Sequence, residues 1–133
     1  MAADIAFIEG PLKFQLRFAE VDPMDLGVQA WLEVEYSGGS QSLRWTAEHL
    51  WFEYDALVRF ESELRDGCNA GLHDMSEYPV LHFERHSSQE YVTINPRSER
   101  QSQDGDSIAI RLKINVGSMN ALYSAFNQFG KWW

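Results

Sequence analysis

The sequence YDALVRFESELRDG, from Tyr54 to Gly67, forms the element around which the rest of the chain is expected to be organised. Its apolar residues recur at helical spacing and form one stripe. These residues are Leu57, Phe60 and Leu64. Asp55 is expected to cap the helix, because its carboxylate can accept a hydrogen bond from a free backbone N–H. Gly67 follows the last turn, where a left-handed residue commonly ends a helix. The stretch therefore predicts an amphipathic helix that covers a β-sheet.

Alternating apolar and polar residues predict strands on both sides of this helix. Before it, the apolar sets run from Leu12 to Phe18, from Val28 to Tyr36 and from Leu43 to Ala47. After it, strands are expected within Asn69–Met75, Pro79–His86, Tyr91–Asn95 and Ile108–Val116. The last of these has the longest alternation and predicts a central strand. Ser118 is expected to cap a closing helix over Met119–Phe129.

The order of these elements predicts the fold class. Short connections between strands favour antiparallel pairing, and both helices carry a single apolar stripe. We therefore expect an α+β fold with a mostly antiparallel sheet of about six to seven strands and two helices packed on one face. The 133 residues fit one domain, spanning 1–133.

Charge and cysteine content narrow the classes of partner. The net charge is −9, with 20 acidic and 11 basic residues. Such a chain is not expected to bind nucleic acid or an anionic membrane, whereas a basic protein partner is favoured. Cys68 is the only cysteine, so no internal disulfide can form, which suits the cytoplasm.

Exposed aromatic residues beside acids predict a protein-binding surface, because Trp and Tyr are enriched at interface hot spots. Trp31, Glu33 and Glu35 share the outer face of one predicted strand. Further candidates lie on other outer faces and on the polar loop from Pro96 to Asp106. The full set of predicted partner-binding residues is Trp31, Glu33, Glu35, Glu84, Tyr91, Glu99, Asp104 and Asp106.

A metal site is an alternative interpretation of the predicted strand that contains Glu84. His82, Glu84 and His86 alternate on one strand and therefore share a face. Two imidazoles and a carboxylate are suitable ligands for zinc or iron. The competing interpretation is an ordinary solvated sheet face. The sequence contains no nucleotide-binding or hydrolase motif, so no cofactor is expected.

A resemblance to a known family is carried by three segments: YDALVRFESELRDG, PVLHFERH, and SIAIRLKINV followed by ALYSAF. Together they resemble small immunity proteins of bacterial polymorphic-toxin systems, the WapI-type family among them. The resemblance spans Val28 to Phe129. It implies a cytoplasmic, non-enzymatic protein that binds one cognate toxin domain with a basic cleft and blocks its active site. A metal-dependent enzyme and a small-ligand binder that uses the open sheet face remain as alternatives.

Overall fold

The computed structural model describes residues 3–22, 24, 26–96 and 108–131, which form eight strands and two helices. In chain order these are β1 (Ile5–Glu9), β2 (Leu12–Asp22), β3 (Gly27–Gly38), β4 (Gln41–Glu53), α1 (Tyr54–Asp66), β5 (Asn69–His73), β6 (Pro79–His86), β7 (Gln89–Ile94), β8 (Ile110–Ile114) and α2 (Ser118–Gln128). Neither helix in these ranges is long and apolar enough to cross a membrane.

The strands form two antiparallel sheets rather than one. The first sheet has the order β1-β2-β3-β4 and the second has the order β5-β6-β7-β8. The α+β class and the antiparallel pairing are confirmed, but the single sheet of six to seven strands is wrong. Within each sheet, neighbouring strands follow each other along the chain. Because α1 stands between β4 and β5, it separates the two sets of strands.

One hydrophobic core joins both sheets and both helices. Phe60 on α1 is fully buried in this core, and its ring centroid lies 6.0 Å from that of Phe83 on β6 and 5.5 Å from that of Phe126 on α2. Phe129 follows α2 and lies 5.3 Å from Phe18 on β2. The helices therefore contact residues of both sheets. This corrects the expectation that they cover one face of a single sheet.

The segment from Ile108 to Val116 is not a central strand. Only Ile110–Ile114 pairs, and β8 lies at the edge of the second sheet. Ile108 and Val116 are 63% and 64% exposed. Alternation reports which side chains share a face, but it carries no information about whether a strand has one neighbour or two. The edge strand β1 was not predicted, because its sequence IAFIE does not alternate apolar with polar residues.

The helix ends also differ from the sequence-based predictions. Glu53 precedes α1 without a side-chain cap, and Asp55 lies within the first turn. Gly67 is extended, with φ −98°, and its N–H bonds the carbonyl of Glu63 at 2.8 Å. Ser118 does not cap α2, because its hydroxyl donates to the carbonyl of Asn115 at 2.6 Å. The N-cap position of α2 is occupied by Gly117, with φ 99°.

Candidate protein-binding surfaces

The outer face of the first sheet brings together three of the predicted residues. The register places Trp31 opposite Arg17, Glu33 between Gln15 and Thr46, and Glu35 between Lys13 and Arg44. The guanidinium carbon of Arg17 lies 5.0 Å from the centre of the Trp31 ring. Trp31, Glu33 and Glu35 therefore share one face, as the alternation predicts, and basic residues lie on the same face.

The two carboxylates on this face are paired within the chain. Arg44 Nε donates to Glu33 and lies 3.3 Å from the Glu35 carboxylate. The hydrogen bond with Glu33, and then its charge, raise the pKa of Arg44. Glu33 is only 5% exposed, which is unusual for a glutamate on an outer face. Little of its carboxylate is left for a partner to contact.

The outer face of the second sheet holds Glu84 and Tyr91, which are paired across β6 and β7. Arg111 lies over the Tyr91 ring at 3.9 Å, and its Nε is 3.5 Å from Glu84. His86 Nε2 is 2.7 Å from the other Glu84 oxygen. The hydrogen bond from His86, supported by Arg111, lowers the pKa of Glu84. This predicted acid, too, is already neutralised by its neighbours.

The three predicted metal ligands do not converge. His82 Nε2 is bonded to Asn69 Oδ1 at 3.1 Å, whereas His86 contacts Glu84. Glu90, the next carboxylate along the chain, lies in the interior and is 2% exposed. Within the described ranges, no three His, Cys, Asp or Glu side chains are grouped so that they could hold a metal ion.

Grooves suitable for a small ligand are shallow in the described chain. One of about 310 Å³ lies beside β1 and β2, and is lined by Ala6, Phe7, Ile8, Lys13, Phe14 and Gln15. A second, of about 340 Å³, lies beside the start of α2 and includes Arg85, Glu90 and Asn120. Glu90 and Arg85 are bonded to the fold itself, so this groove offers few uncommitted polar groups.

The predicted loop acids Glu99, Asp104 and Asp106 lie outside the described residues. Their place relative to either outer face therefore stays a prediction.

A third surface was not predicted, and it forms where three segments meet at one end of the first sheet. The N–H of Tyr54, at the start of α1, donates to the carbonyl of Leu26 at 3.0 Å. The N–H of Met75, in the loop after β5, donates to the carbonyl of Trp51 on β4 at 2.8 Å. These bonds place the β2–β3 connection, the start of α1 and the loop 74–78 side by side.

This surface combines apolar and acidic groups. Met24 is 88% exposed and Leu26 is 65% exposed. The same adjoining segments carry exposed carboxylates that make no ion pair with any residue the structure describes: Glu53, Asp55 and Glu77. We call the surface formed by Met24, Leu26, Glu53, Asp55 and Glu77 the acidic end.

The lack of a described ion pair at these three carboxylates has a reason that is visible in the sequence. No Lys or Arg occurs between Arg17 and Arg44, between Arg44 and Arg59, or between Arg65 and Arg85. These three gaps supply all the segments that meet there. These stretches without Lys or Arg were the one sequence feature from which the acidic end could have been predicted. The sequence alone, however, does not show that the three segments lie side by side.

Comparison with known proteins adds no relative. Neither a family model, nor a curated protein, nor a solved structure matches this chain.

Proposed function

We propose that this chain is an immunity protein that binds a bacterial toxin domain with a basic active-site cleft and neutralises it by occlusion. The observation that carries the proposal is the acidic end, where exposed Met24 and Leu26 share adjoining segments with exposed carboxylates that pair with no Lys or Arg of the described residues. The resemblance of the sequence to immunity proteins supports the same function. The protein acts in the cytoplasm and needs no catalytic group or cofactor for this role.

Charge and apolar surface have different parts in the proposed complex. A chain of net charge −9 attracts a basic cleft over a distance, which speeds association. Once docked, Met24 and Leu26 lose contact with water and slow dissociation, because apolar burial contributes most of the affinity at an interface centre. Carboxylates at the rim pair with Arg and Lys of the toxin.

The acids of the two outer faces have a smaller role in this proposal. Glu33, Glu35 and Glu84 already neutralise Arg44, Arg111 or Lys13. A toxin cation would have to displace an existing partner before it could pair with them. Trp31 and Tyr91 remain candidate contacts through their rings, each of which is half-buried beneath or beside an arginine.

Co-expression with the neighbouring gene tests the function. The domain encoded directly upstream is expressed from an inducible promoter, with or without this chain, and growth is measured. We expect the upstream domain to arrest growth, this chain to restore it, and the two purified proteins to form a complex. An upstream product that is harmless, or a toxic one that this chain neither binds nor neutralises, would overturn the proposal.

A further inference from the structure

Strand β4 has one edge that no described strand occupies. It is the last strand of its sheet, so its ladder is formed with β3 alone. The two-residue loop of the β3–β4 hairpin begins with Gly39 at φ 61°, which is the type II′ arrangement. In such a hairpin the flanking residues Gly38 and Gln41 exchange hydrogen bonds, and every second pair beyond them does the same.

This alternation determines which backbone groups point outward. The residues of β4 whose N–H and C=O groups point away from β3 are Ser42, Arg44, Thr46 and Glu48. All four side chains are exposed. A row of outward donors and acceptors is a template for another strand. His49, with φ 58°, lies where the register between β3 and β4 shifts, so the straight edge ends at Glu48.

We propose that this edge pairs with β4 of a second copy of the chain, antiparallel, with Thr46 facing its equivalent on the two-fold axis. In this register Arg44 faces the partner's Glu48, and the pair occurs twice by symmetry. The Nε of Arg44 forms ion pairs with Glu33 and Glu35. The two terminal amino groups of the guanidinium carry four further N–H donors. Arg44 can therefore donate to the partner's Glu48 while it keeps its bonds to Glu33 and Glu35.

The pairing also covers apolar surface and keeps the acidic ends apart. Leu43 and Trp45 on the inner face of β4 are only partly buried, and a second strand shields them. Glu53 lies seven residues from the axis, which is about 24 Å of strand. In an antiparallel pair the two acidic ends point in opposite directions, so their repulsion is small and both stay open. This pairing does not depend on the proposed toxin binding.

Engineered disulfides test the register. Thr46→Cys and Ser42→Cys are each made with Cys68→Ser, which removes the exposed native thiol. In the proposed dimer the two copies of position 46 lie about 5.5 Å apart, close enough for a disulfide, whereas the two copies of position 42 are about 27 Å apart. We expect a covalent dimer from the first variant and almost none from the second. Equal yields from both would mean random collision and would overturn the register.

Sedimentation of the uncrosslinked protein tests the pairing itself. The unmodified chain should show a concentration-dependent dimer, and Glu48→Arg should weaken it by about tenfold or more, because Arg44 then faces a like charge. Glu77→Arg makes the same change of net charge away from β4 and should leave the dimer constant unchanged. A monomer at all concentrations, or equal weakening by both variants, would overturn the proposal.

Discussion

The carboxylate of Glu90 on β7 accepts a hydrogen bond at 2.8 Å from the backbone N–H of Met119, in the first turn of α2. Its second oxygen accepts from Gly117 N–H at 2.7 Å. A strand side chain thus supplies the N-terminal cap of the helix and places a negative charge at the positive end of its dipole. Arg85, 3.9 Å from the same carboxylate, donates to the carbonyl of Gly67 after α1. This cluster joins the ends of both helices to the second sheet.

Replacing Glu90 should therefore destabilise the protein. Glu90→Ala removes a buried acceptor from two backbone donors and from Arg85, so we expect a loss of about 2–4 kcal/mol in unfolding free energy. Glu90→Gln keeps one acceptor oxygen and should cost less. The measurement is equilibrium denaturation in urea. Ser88→Ala, at an exposed position nearby, is the control and should stay within about 0.5 kcal/mol of the unmodified chain.

Phe60 is the second position where stability can be tested. Its ring is 0% exposed and contacts both Phe83 and Phe126, so Phe60→Ala leaves a cavity between the second sheet and α2. We expect a loss of about 3–5 kcal/mol. Val58→Ala on the same helix is the matched control, since Val58 is 50% exposed. Similar losses for the two variants would contradict the assignment of Phe60 to the core.

Local pattern was sufficient to predict most elements but not their arrangement. Alternation predicted the strands that contain Phe14, Leu32 and Phe83, because the sheet period is a property of neighbouring residues. The division into two sheets depends on where α1 carries the chain after Glu53. That path is set by packing of Phe60 against residues distant in sequence, which periodicity does not report.

For the candidate binding surfaces, too, the sequence predicted which residues share a face but not which residues are buried or brought together. The shared face of Trp31, Glu33 and Glu35 followed from alternation alone. The burial of Glu33 did not, because charged residues are ordinarily exposed and Arg44 reaches it from another strand. The acidic end required three segments to adjoin through bonds such as Tyr54 N–H to Leu26, and a sequence does not show such contacts.

Glu84 should make stability depend on pH. Its pKa lies below the usual 4.5 because His86 and Arg111 favour the carboxylate in the folded protein. A lowered folded-state pKa means that this stabilisation is complete above the unfolded-state pKa and is lost as the pH falls through the folded value. The stability difference between the unmodified chain and Glu84→Gln should therefore shrink from about pH 6 to about pH 3. Urea denaturation across this range measures it, and a constant difference would contradict the assignment.

The two glutamates beside Arg44 should respond differently to charge reversal. Glu33 is nearly inaccessible and bonded to Arg44, so Glu33→Lys places two cations together in a site with little water. Glu35 is more exposed and also near Lys13. We expect Glu33→Lys to lower the unfolding free energy by about 2 kcal/mol or more, and Glu35→Lys by less than about 1 kcal/mol. Thermal melts of both variants provide the comparison, and equal effects would argue against the burial of Glu33.

The last prediction concerns which surface meets the toxin. Met24→Ala removes an exposed side chain that the fold does not use, and the combination of Glu53→Gln, Asp55→Asn and Glu77→Gln removes three charges with little change of shape. If the acidic end docks in a basic cleft, Met24→Ala should chiefly raise the dissociation rate, by about tenfold if it is a hot spot. The triple variant should slow association and flatten its dependence on salt.

Matched variants on the other two surfaces complete this comparison. Trp31→Ala and Tyr91→Ala remove the rings of the two outer faces, and Glu35→Gln removes one paired carboxylate. We expect smaller changes in binding from these three than from the acidic-end variants, because Glu35 already has a partner within the chain. Binding of the upstream-encoded domain at two salt concentrations, with melting temperatures as a check on folding, measures all of them. A large loss from Trp31→Ala or Tyr91→Ala, with none from the acidic end, would move the interface to an outer sheet face.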